Sequence, residues 1–554
     1  MNDDDLLRPL RAAITDAARS VVDLDEVRVE LGPPANPDHG DLATPVAMTL
    51  AKPARRPPRA IAQAIADAVG GADGTLESVE VAGPGFLNLR LSPAWFAGAV
   101  SALAARGGAF GAGSAETPRN ILLEYVSPNP TGPLHVGHAR QAAYGDSLGR
   151  MLAFVGHEIT HEAYVNDYGR QMEVFGASVA ARYAELVGDP PHPPEGGYPG
   201  EYVMDLARAL HGEVGDRYRG RVSPPDAEAV AYFATRGGEL MLDQIREVLG
   251  RARVSVDRYF SETTVHEDGS VTRALAALEA SGHAYRSEGA LWLRSSELGD
   301  EKDRVLVRAN GQSTYLAADT AYHLQKLGRG YDLLIDVWGA DHHGYIPRMR
   351  AMLAACGHDP DVLEVMIQQL VSLVERGEAK RMSKRAGTMV TFTELMDDIG
   401  VDATRFFLVD RSHETALELD LDLAREQSQE NPVYYVQYAH ARCCSILAKA
   451  RDEGVAEGAA ADPPASLDTA ERALALSLVG WPAAVADAAE RRAPHRVAAA
   501  LRDISRDLHA FYHRCRVVGE APEVQAFRMN LTTATRDILA AGLDLLGVTA
   551  PERM

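Results

Sequence analysis

Hydrophobic positions along the first hundred residues change between helical and strand-like spacing. Apolar residues at helical spacing predict a helix over 6–22, and Val27, Val29 and Leu31 then alternate as in a strand. The same criteria predict a helix over 60–69, strands over 78–81 and 86–91, and a helix over 93–105. We therefore predict an N-terminal α+β module over residues 1–113, which ends in the glycine-rich linker 107–113.

After residue 113 the pattern becomes typical of a nucleotide-binding α/β unit. A short apolar strand over 121–126 leads through the Pro/Gly-rich turn 127–133 into a helix over 136–155. Residues 166–282 are mostly helical, which indicates an insertion, and another apolar strand follows at 333–338. These elements predict a Rossmann-like α/β domain with a helical insertion over residues 114–395.

Turn residues and a long helical tail complete the predicted organisation. Asn310-Gly311 favours positive φ and predicts a tight hairpin between 304–308 and 313–316. A connecting segment is expected over 396–425. Helical patterns then dominate, so we predict an all-α bundle over 426–554.

Charge and composition narrow the classes of protein that this chain can belong to. Among 554 residues, 56 are Lys or Arg and 78 are Asp or Glu, a net charge of −22. Such a balance argues against a uniformly basic surface that coats nucleic acid, although a local basic groove stays open. The 46% hydrophobic content excludes wholesale disorder.

Cysteine usage and the N-terminus indicate a reducing compartment. The four cysteines include no CxxC pair, so neither a disulfide scaffold nor a structural zinc site is expected. The chain opens with acidic residues where a secretory signal carries positive charge, and it has no uninterrupted apolar run of about 18 residues. We expect a cytoplasmic protein that does not bind a membrane.

The turn before the helix at 136 carries the first candidate chemistry. It contains His135, Gly137 and His138 within the sequence Ser127-Pro-Asn-Pro-Thr-Gly-Pro-Leu-His-Val-Gly-His138. Two histidines three residues apart share one face of a first helical turn, and helix N-termini attract phosphate. The glycine would let a base or ribose approach the backbone. The alternative is that both histidines cap the helix and pack against a sheet.

A basic segment later in the chain supports the phosphate interpretation. Residues 376–385 contain five basic side chains and one acid, within and before Lys380-Arg-Met-Ser-Lys-Arg-Ala-Gly-Thr388. A basic loop alone is usually a solvated surface. Together with the histidine turn, it predicts the second half of a triphosphate clamp.

These two segments resemble the signatures of class I aminoacyl-tRNA synthetases. His135-Val-Gly-His138 matches HIGH, and Arg381-Met-Ser-Lys-Arg385 matches KMSKS with Arg at both ends and Lys384 retained. Further segments resemble arginyl-tRNA synthetases over essentially the full length: Glu124-Tyr-Val-Ser-Pro-Asn129, Tyr315-Leu-Ala-Ala-Asp319, Gly339-Ala-Asp-His-His-Gly344, Tyr435-Val-Gln-Tyr438-Ala-His-Ala-Arg442 and Pro551-Glu-Arg-Met554. The resemblance implies activation of arginine by ATP and its transfer to the terminal adenosine of tRNA.

The resemblance also implies roles for individual residues. His135, His138 and Lys384 would be catalytic, and ATP would be bound by His135, Gly137, His138, Met382, Ser383 and Lys384, with Mg²⁺ held mainly by phosphate oxygens. A guanidinium needs carboxylates in fixed positions. The candidates for arginine binding are Glu124, Ser127, Asn129, Glu262, Tyr315, Asp319 and Asp341. Alternatively, Glu124 pairs with a core-facing Arg, Asp319 caps a helix near Thr320, and Glu262 is a surface acid.

Transfer RNA is the expected macromolecular partner, and no DNA partner is expected. By resemblance, the N-terminal module touches the tRNA elbow, and the anticodon-reading bundle includes Tyr435, Tyr438, Arg442, Tyr512 and Met554. Two basic islands accompany them, one of seven arginines over 490–516 and one formed by Lys52, Arg55, Arg56 and Arg59. Each island has a solvated surface as its alternative, and Phe511 is expected in the core. We expect a monomer; the rival hypotheses are a cysteinyl-type synthetase and a catalytically silent tRNA-binding paralogue.

Overall fold

The computed structural model describes residues 4–22, 24, 26–34, 36–69, 74–380, 390–456, 458 and 462–554. Three structural units follow one another along the chain: an α+β module, an α/β domain with a parallel sheet, and a bundle of helices.

The N-terminal module is built on a three-stranded antiparallel sheet of order β1-β3-β2. Its elements are α1 (Arg8–Val21), β1 (Leu42–Thr44), α2 (Val46–Ala54), α3 (Pro58–Val69), β2 (Leu76–Ala82), β3 (Phe86–Leu91) and α4 (Pro93–Arg106). The strand predicted at Val27–Leu31 is wrong. That stretch reaches the sheet only through a bridge between Gly32 and Ala43, and its apolar side chains pack against the core without a strand ladder.

The central domain contains a five-stranded parallel sheet of order β11-β10-β4-β5-β6. Its first part comprises β4 (Asn120–Glu124), α5 (Val136–Phe154), β5 (Glu158–Val165), α6 (Arg170–Val187), α7 (Glu201–Val214), α8 (Ala227–Arg251), β6 (Arg258–Ser261), α9 (Glu262–Glu267) and α10 (Ser270–Ala280). The segment 166–282 is therefore not a purely helical insertion, because β6 pairs with β5 in the main sheet.

The second half of the domain returns to the other side of β4. It comprises β7 (Ala284–Ser287), β8 (Ala290–Leu293), β9 (Arg304–Val307), α11 (Tyr315–Gly328), β10 (Leu333–Gly339), α12 (Ile346–Ala355), β11 (Leu363–Gln368), β12 (Val371–Glu375) and β13 (Glu378–Ala379). The turn at Asn310-Gly311 forms, but the strand predicted at 313–316 does not: Ser313 makes one bridge to Val307, and α11 begins at Tyr315. β9 pairs instead with β8.

The remaining elements lead into the C-terminal bundle. They are α13 (Phe392–Ile399), α14 (Val401–Val409), β14 (Leu417–Asp420), α15 (Leu421–Arg425), α16 (Pro432–Asp452), α17 (Thr469–Val479), α18 (Trp481–Glu490), α19 (Pro494–Arg514) and α20 (Pro522–Leu545). The stretch Thr469–Glu490 is long and apolar enough to cross a membrane by composition, but half of it is buried within the protein, as in a core helix.

The N-terminal module is docked directly on the bundle. Arg472 of α17 donates to Asp41 Oδ2 at 2.8 Å and to the carbonyl of Leu91 at 2.9 Å. The predicted linker 107–113 is packed as well, since a Cβ on Gly111 would lie 3.0 Å from Pro482 Cα. Gly107 and Gly111 in this segment therefore allow close packing.

A buried arginine joins α5 to the C-terminal bundle. Arg405 of α14 is fully buried and donates to Asp146 of α5 at 2.5 Å. It also donates to the carbonyls of Ala252 and Leu546, both at 2.8 Å. The guanidinium lies so close to Gly547 that a Cβ there would be 2.2 Å from its Cζ. One side chain thus fixes α5, the end of α8 and the end of α20.

We predict that Arg405→Met strongly destabilises the protein, because it leaves Asp146 buried without this cation. The expected loss in the free energy of unfolding is about 3–5 kcal/mol. Arg208→Met is the control, since the Arg208–Asp205 pair is exposed and should cost less than about 1 kcal/mol. Urea unfolding followed by circular dichroism measures both changes; equal stabilities for the two variants would contradict the assignment.

Candidate active site

The carboxyl ends of the parallel strands gather the candidate residues along one edge of the sheet. Ser127 and His135 follow β4, Glu262 follows β6 and Asp341 follows β10, and Asp167, which was not predicted, follows β5. The chain leaves β4 toward β5 and later returns on its other side as β10. Ligands of open α/β sheets bind at such a reversal of strand order.

The two histidines of the first signature begin α5 as a stacked pair. Their ring centroids lie 3.8 Å apart at an interplanar angle of 21°. The Nδ1 of His135 accepts from the amide of Gly137 at 3.1 Å, and the Nδ1 of His138 accepts from the amide of His135 at 3.3 Å. Each neutral ring therefore carries its proton on Nε2, where it can donate to a phosphate oxygen.

Gly137 leaves the His135 ring room to lie against the start of α5. A Cβ at this position would lie 3.0 Å from Cε1 and 3.1 Å from Nδ1 of His135, so a side chain would push the ring away. Helix capping, the alternative to phosphate binding for these histidines, is also present, because His135 and His138 form a reciprocal capping box. Capping and phosphate binding are compatible, since capping uses Nδ1 of each ring and does not use Nε2.

Described residues on either side of the second signature have defined contacts, and those that follow it lie beside the first signature. Val136 donates its amide to the carbonyl of Val390 at 3.2 Å, and Phe392 donates to the carbonyl of Leu134 at 2.8 Å. Lys380 precedes the signature at the end of the β12–β13 hairpin, where its amide donates to Leu373 at 2.8 Å. The predicted residues Met382, Ser383 and Lys384 lie outside the described residues.

Glu124 holds the turn that follows β4. Its Oε1 accepts from Ser127 Oγ at 2.7 Å, and its Oε2 accepts from Lys326 Nζ. Val126, a buried β-branched residue, has a φ of 51°, which is a strained conformation. Glu124 is therefore paired, as its alternative proposed, but with a lysine rather than an arginine.

Glu262 and Asp319 form the acidic part of the site. Glu262 is only 5% exposed, so its interpretation as a surface acid is wrong. Asp319 lies in the second turn of α11 and accepts from the hydroxyl of Tyr345, so it does not cap a helix at Thr320. Burial and the nearby Asp319 and Asp167 raise the pKa of Glu262 to about 7. Burial also raises the pKa of Asp319.

The other predicted arginine-binding residues are less enclosed. Tyr315 is 76% exposed at the start of α11 and lines a cavity of about 220 Å³ with Tyr345 and Arg348. Asp341 is exposed and lies near His342. Asn129 is half-buried in the turn. Within the described ranges, no group of three or more His, Cys, Asp or Glu side chains is placed to hold a metal ion.

A buried cluster beneath the site was missed from sequence. Lys326 of α11 is fully buried and donates to both Glu124 and Asp336, the latter at 2.8 Å. His323 lies 3.0 Å from Asp336 through Nε2. Burial opposes ionisation of Asp336, but Lys326 and His323 outweigh it and lower its pKa to about 2. The sequence did contain a sign of this cluster. Glu124 and Asp336 are acids within the otherwise apolar strands β4 and β10, and buried acids require cationic partners.

The predicted tRNA-binding residues surround one groove of the bundle. The groove has a volume of about 960 Å³, and its lining includes Tyr438, Arg442, Tyr512 and Met554. The guanidinium of Arg442 lies 4.6 Å and 4.2 Å from the ring centroids of Tyr438 and Tyr512. Tyr435 instead packs edge-on against His509. Phe511 is fully buried, as expected.

The two basic islands differ in how their charges are used. Six of the seven arginines over 490–516 pair with carboxylates, for example Arg492 with Glu364 at 2.9 Å. Lys52, Arg55, Arg56 and Arg59 are exposed, and within the described part of the chain none of them pairs with a carboxylate. The N-terminal island therefore keeps its positive charge, whereas most of the C-terminal one is neutralised internally.

The fold and the paired signatures define a class I aminoacyl-tRNA synthetase. Three family models match: the arginyl tRNA synthetase N-terminal domain (residues 8–91), the catalytic domain of the class I (R) tRNA synthetases (100–190 and 239–426) and the DALR anticodon binding domain (436–554). The catalytic match omits residues 191–238, which include α7 and part of α8.

Individual relatives agree along the whole chain. Arginine–tRNA ligase of Moorella thermoacetica is 43% identical, with 99% of each chain covered, and that of Bacillus subtilis is 41% identical over 95% of this chain and 94% of its own. The structure of Thermus thermophilus arginyl-tRNA synthetase matches with a TM-score of 0.77 at 26% identity, covering 99% of this chain and all of that one. The chain belongs to the arginyl-tRNA synthetase family.

We predict that Glu262→Gln stabilises the protein at alkaline pH. A carboxyl whose pKa is raised on folding contributes stability below its unfolded pKa of about 4.5, and this contribution is lost as pH rises through about 7. The variant should therefore gain about 2 kcal/mol relative to the native protein between pH 5 and 8.5. Unfolding is measured without arginine.

Glu267→Gln, on the exposed end of the same helix, is the matched control and should show no such gain. A stability difference for Glu262→Gln that does not change with pH would mean that Glu262 is ionised throughout.

Proposed function

We propose that the chain is an ATP-dependent arginine–tRNA ligase that forms arginyl-adenylate and transfers arginine to the 3′-terminal adenosine of tRNA. The observation that carries this proposal is a pair of carboxylates in the site, of which Glu262 is buried and Asp319 is half-buried. Neither Glu262 nor Asp319 forms an ion pair with a Lys or Arg among the described residues. A permanently charged guanidinium would supply the missing cation and can bond both groups.

In the first step, the carboxylate of arginine attacks the α-phosphorus of ATP. A bond forms between a carboxylate oxygen and phosphorus, the bond to the bridging oxygen breaks, and pyrophosphate leaves. This step needs little proton transfer, so catalysis rests on positioning and electrostatic stabilisation. We propose that the Nε2 protons of His135 and His138 bond the phosphoryl oxygens, with Lys384 neutralising the transition-state charge.

The substrate enters as MgATP, with the ion held mainly by phosphate oxygens. Met382 and Ser383 would contact the nucleotide together with Gly137, which presents an open backbone. The contact between Val136 and Val390 supports this arrangement, because it places a residue that follows the second signature in the sequence against the start of α5.

We propose that Ser127 and Asn129 hold the α-amino end of arginine, with Glu124 orienting Ser127. Glu262 and Asp319 would hold the guanidinium, and Tyr315 would cover it with its ring. Tyr315 is mostly exposed, so it is available to close over a bound side chain. Asp341 would act at the open edge of this pocket.

Transfer RNA would lie across the bundle and the N-terminal module. We propose that the groove of Tyr438, Arg442, Tyr512 and Met554 binds the anticodon loop, with Tyr435 supporting it through His509. Aromatic rings beside guanidinium groups are suited to unstacked bases. The exposed cations at Lys52–Arg59 would contact phosphates of the tRNA elbow. We further propose that the enzyme acts as a cytoplasmic monomer.

Exchange of pyrophosphate into ATP, measured with each amino acid in turn, tests the function. We predict exchange with arginine alone and only when tRNA is present, as the family resemblance implies. Exchange driven by another amino acid would contradict the arginine pocket, and no exchange with any amino acid would favour a silent tRNA-binding paralogue.

Tyr512→Ala serves as the control for the groove within the same assay. It should raise the KM for tRNA while leaving the KM for ATP unchanged, because the groove lies in the bundle and not at the sheet edge. An unchanged KM for tRNA would remove Tyr512 from the binding surface.

A further inference from the structure

One face of α11 links both ends of the proposed arginine pocket. Tyr315, Asp319, His323 and Lys326 follow one another at helical spacing, so they share that face. The first two belong to the proposed guanidinium end. The last two reach down to the strands β4 and β10 through Glu124 and Asp336.

The contacts form a continuous chain of hydrogen bonds. Ser127 Oγ donates to Glu124 at 2.7 Å, and Lys326 Nζ joins Glu124 to Asp336. His323 bonds Asp336 Oδ2 through Nε2 at 3.0 Å and the main-chain carbonyl of Asp319 through Nδ1 at 2.9 Å. The chain therefore runs from the amino end of the pocket to the residue at its guanidinium end.

The cluster combines acidic and basic groups in one buried place. Both ring nitrogens of His323 lie within hydrogen-bond distance of oxygens, one of Asp336 and one of the main chain of Asp319. Lys326 contacts both acids of the cluster, Glu124 and Asp336. Glu124, His323, Lys326 and Asp336 are nearly or fully buried. In such surroundings a satisfied hydrogen-bond network favours one arrangement of its side chains over the alternatives.

Lys326 is the only member of this chain of contacts that binds two different strands directly. Its ammonium lies between β4 and β10, which are the strands on either side of the reversal in strand order. A change at this position would let α11 shift along the sheet, and Asp319 would move relative to Ser127. No substrate contact is required of Lys326 for this effect.

We propose that Lys326 is a positioning residue that sets the distance between the α-amino and guanidinium ends of the pocket and so selects arginine over its homologues. The inference rests on the proposed function. Selection by length is modest in a simple pocket, about 10–200-fold for each methylene. The network on α11 is what keeps the two polar ends at a fixed separation.

The test compares kcat/KM for arginine with that for homoarginine, which is one methylene longer, in tRNA-dependent pyrophosphate exchange. Lys326→Met should raise the KM for arginine at least tenfold, change the KM for ATP less than twofold and lower the arginine-to-homoarginine ratio at least tenfold. Lys326→Arg, which keeps the charge, should restore part of the ratio.

Arg329→Met is the matched control. Arg329 directly follows α11 and pairs with the buried Glu162 at 2.5 Å, and among the described residues it has no hydrogen bond to a member of the chain of contacts. It should lower the thermal unfolding midpoint while the ratio stays at the native value. A purely structural role for Lys326 would give this same result for Lys326→Met.

His323→Gln keeps the ammonium and supplies a second test if Lys326→Met does not fold. It should lower the ratio in the same direction, by at least threefold. A native ratio in folded Lys326→Met, or in His323→Gln when the first variant does not fold, overturns the inference. Failure of the native enzyme to use arginine would instead overturn the proposed function, and the inference with it.

Discussion

The contact between Arg405 and Asp146 is the interaction on which the rest of the structure depends. Asp146 lies in α5, whose first turn carries His135 and His138, and the guanidinium joins that helix to main-chain carbonyls at the ends of α8 and α20. Because this side chain is fully buried, its donors have no water as an alternative partner. The position of the histidine pair is thereby tied to the packing of the helical bundle that would bind tRNA.

Positive charge serves two separate purposes in a protein with a net charge of −22. Arg405, Arg472 and Lys326 are buried side chains that join separate elements, and their charges are paired with carboxylates or carbonyls. A second set stays on the surface, at the N-terminal island and in the groove around Arg442. The acidic remainder of the surface would disfavour nonspecific RNA while these few places attract phosphate. Most of the arginines over 490–516 belong to neither set, because they are exposed and pair with carboxylates.

Local pattern predicted much of the fold, and long-range pairing accounts for the errors. The strand, turn and helix from 121 to 155 were correctly predicted, because apolar runs and the Pro/Gly turn act locally. The strand at Val27–Leu31 fails because its alternation is satisfied by packing without a ladder. Lys326 could not be paired from sequence, since its partners, Glu124 and Asp336, are brought together only by the order of the strands. The roles of Glu262 and Asp319 came from the family resemblance and stay predictions, although the burial of Glu262 and the nearby charge of Asp319 support them.

A crystal structure with arginine bound tests the central claim most directly, because the proposed pocket has two ends of opposite character. We predict the guanidinium between the carboxylates of Glu262 and Asp319, the α-amino group beside Ser127 and Asn129, and the substrate carboxylate directed toward the histidine pair. The contacts among Glu124, Lys326 and Asp336 should be unchanged by binding. Arginine bound in the reverse orientation, or at a site that leaves Glu262 and Asp319 without a cation, would contradict the account.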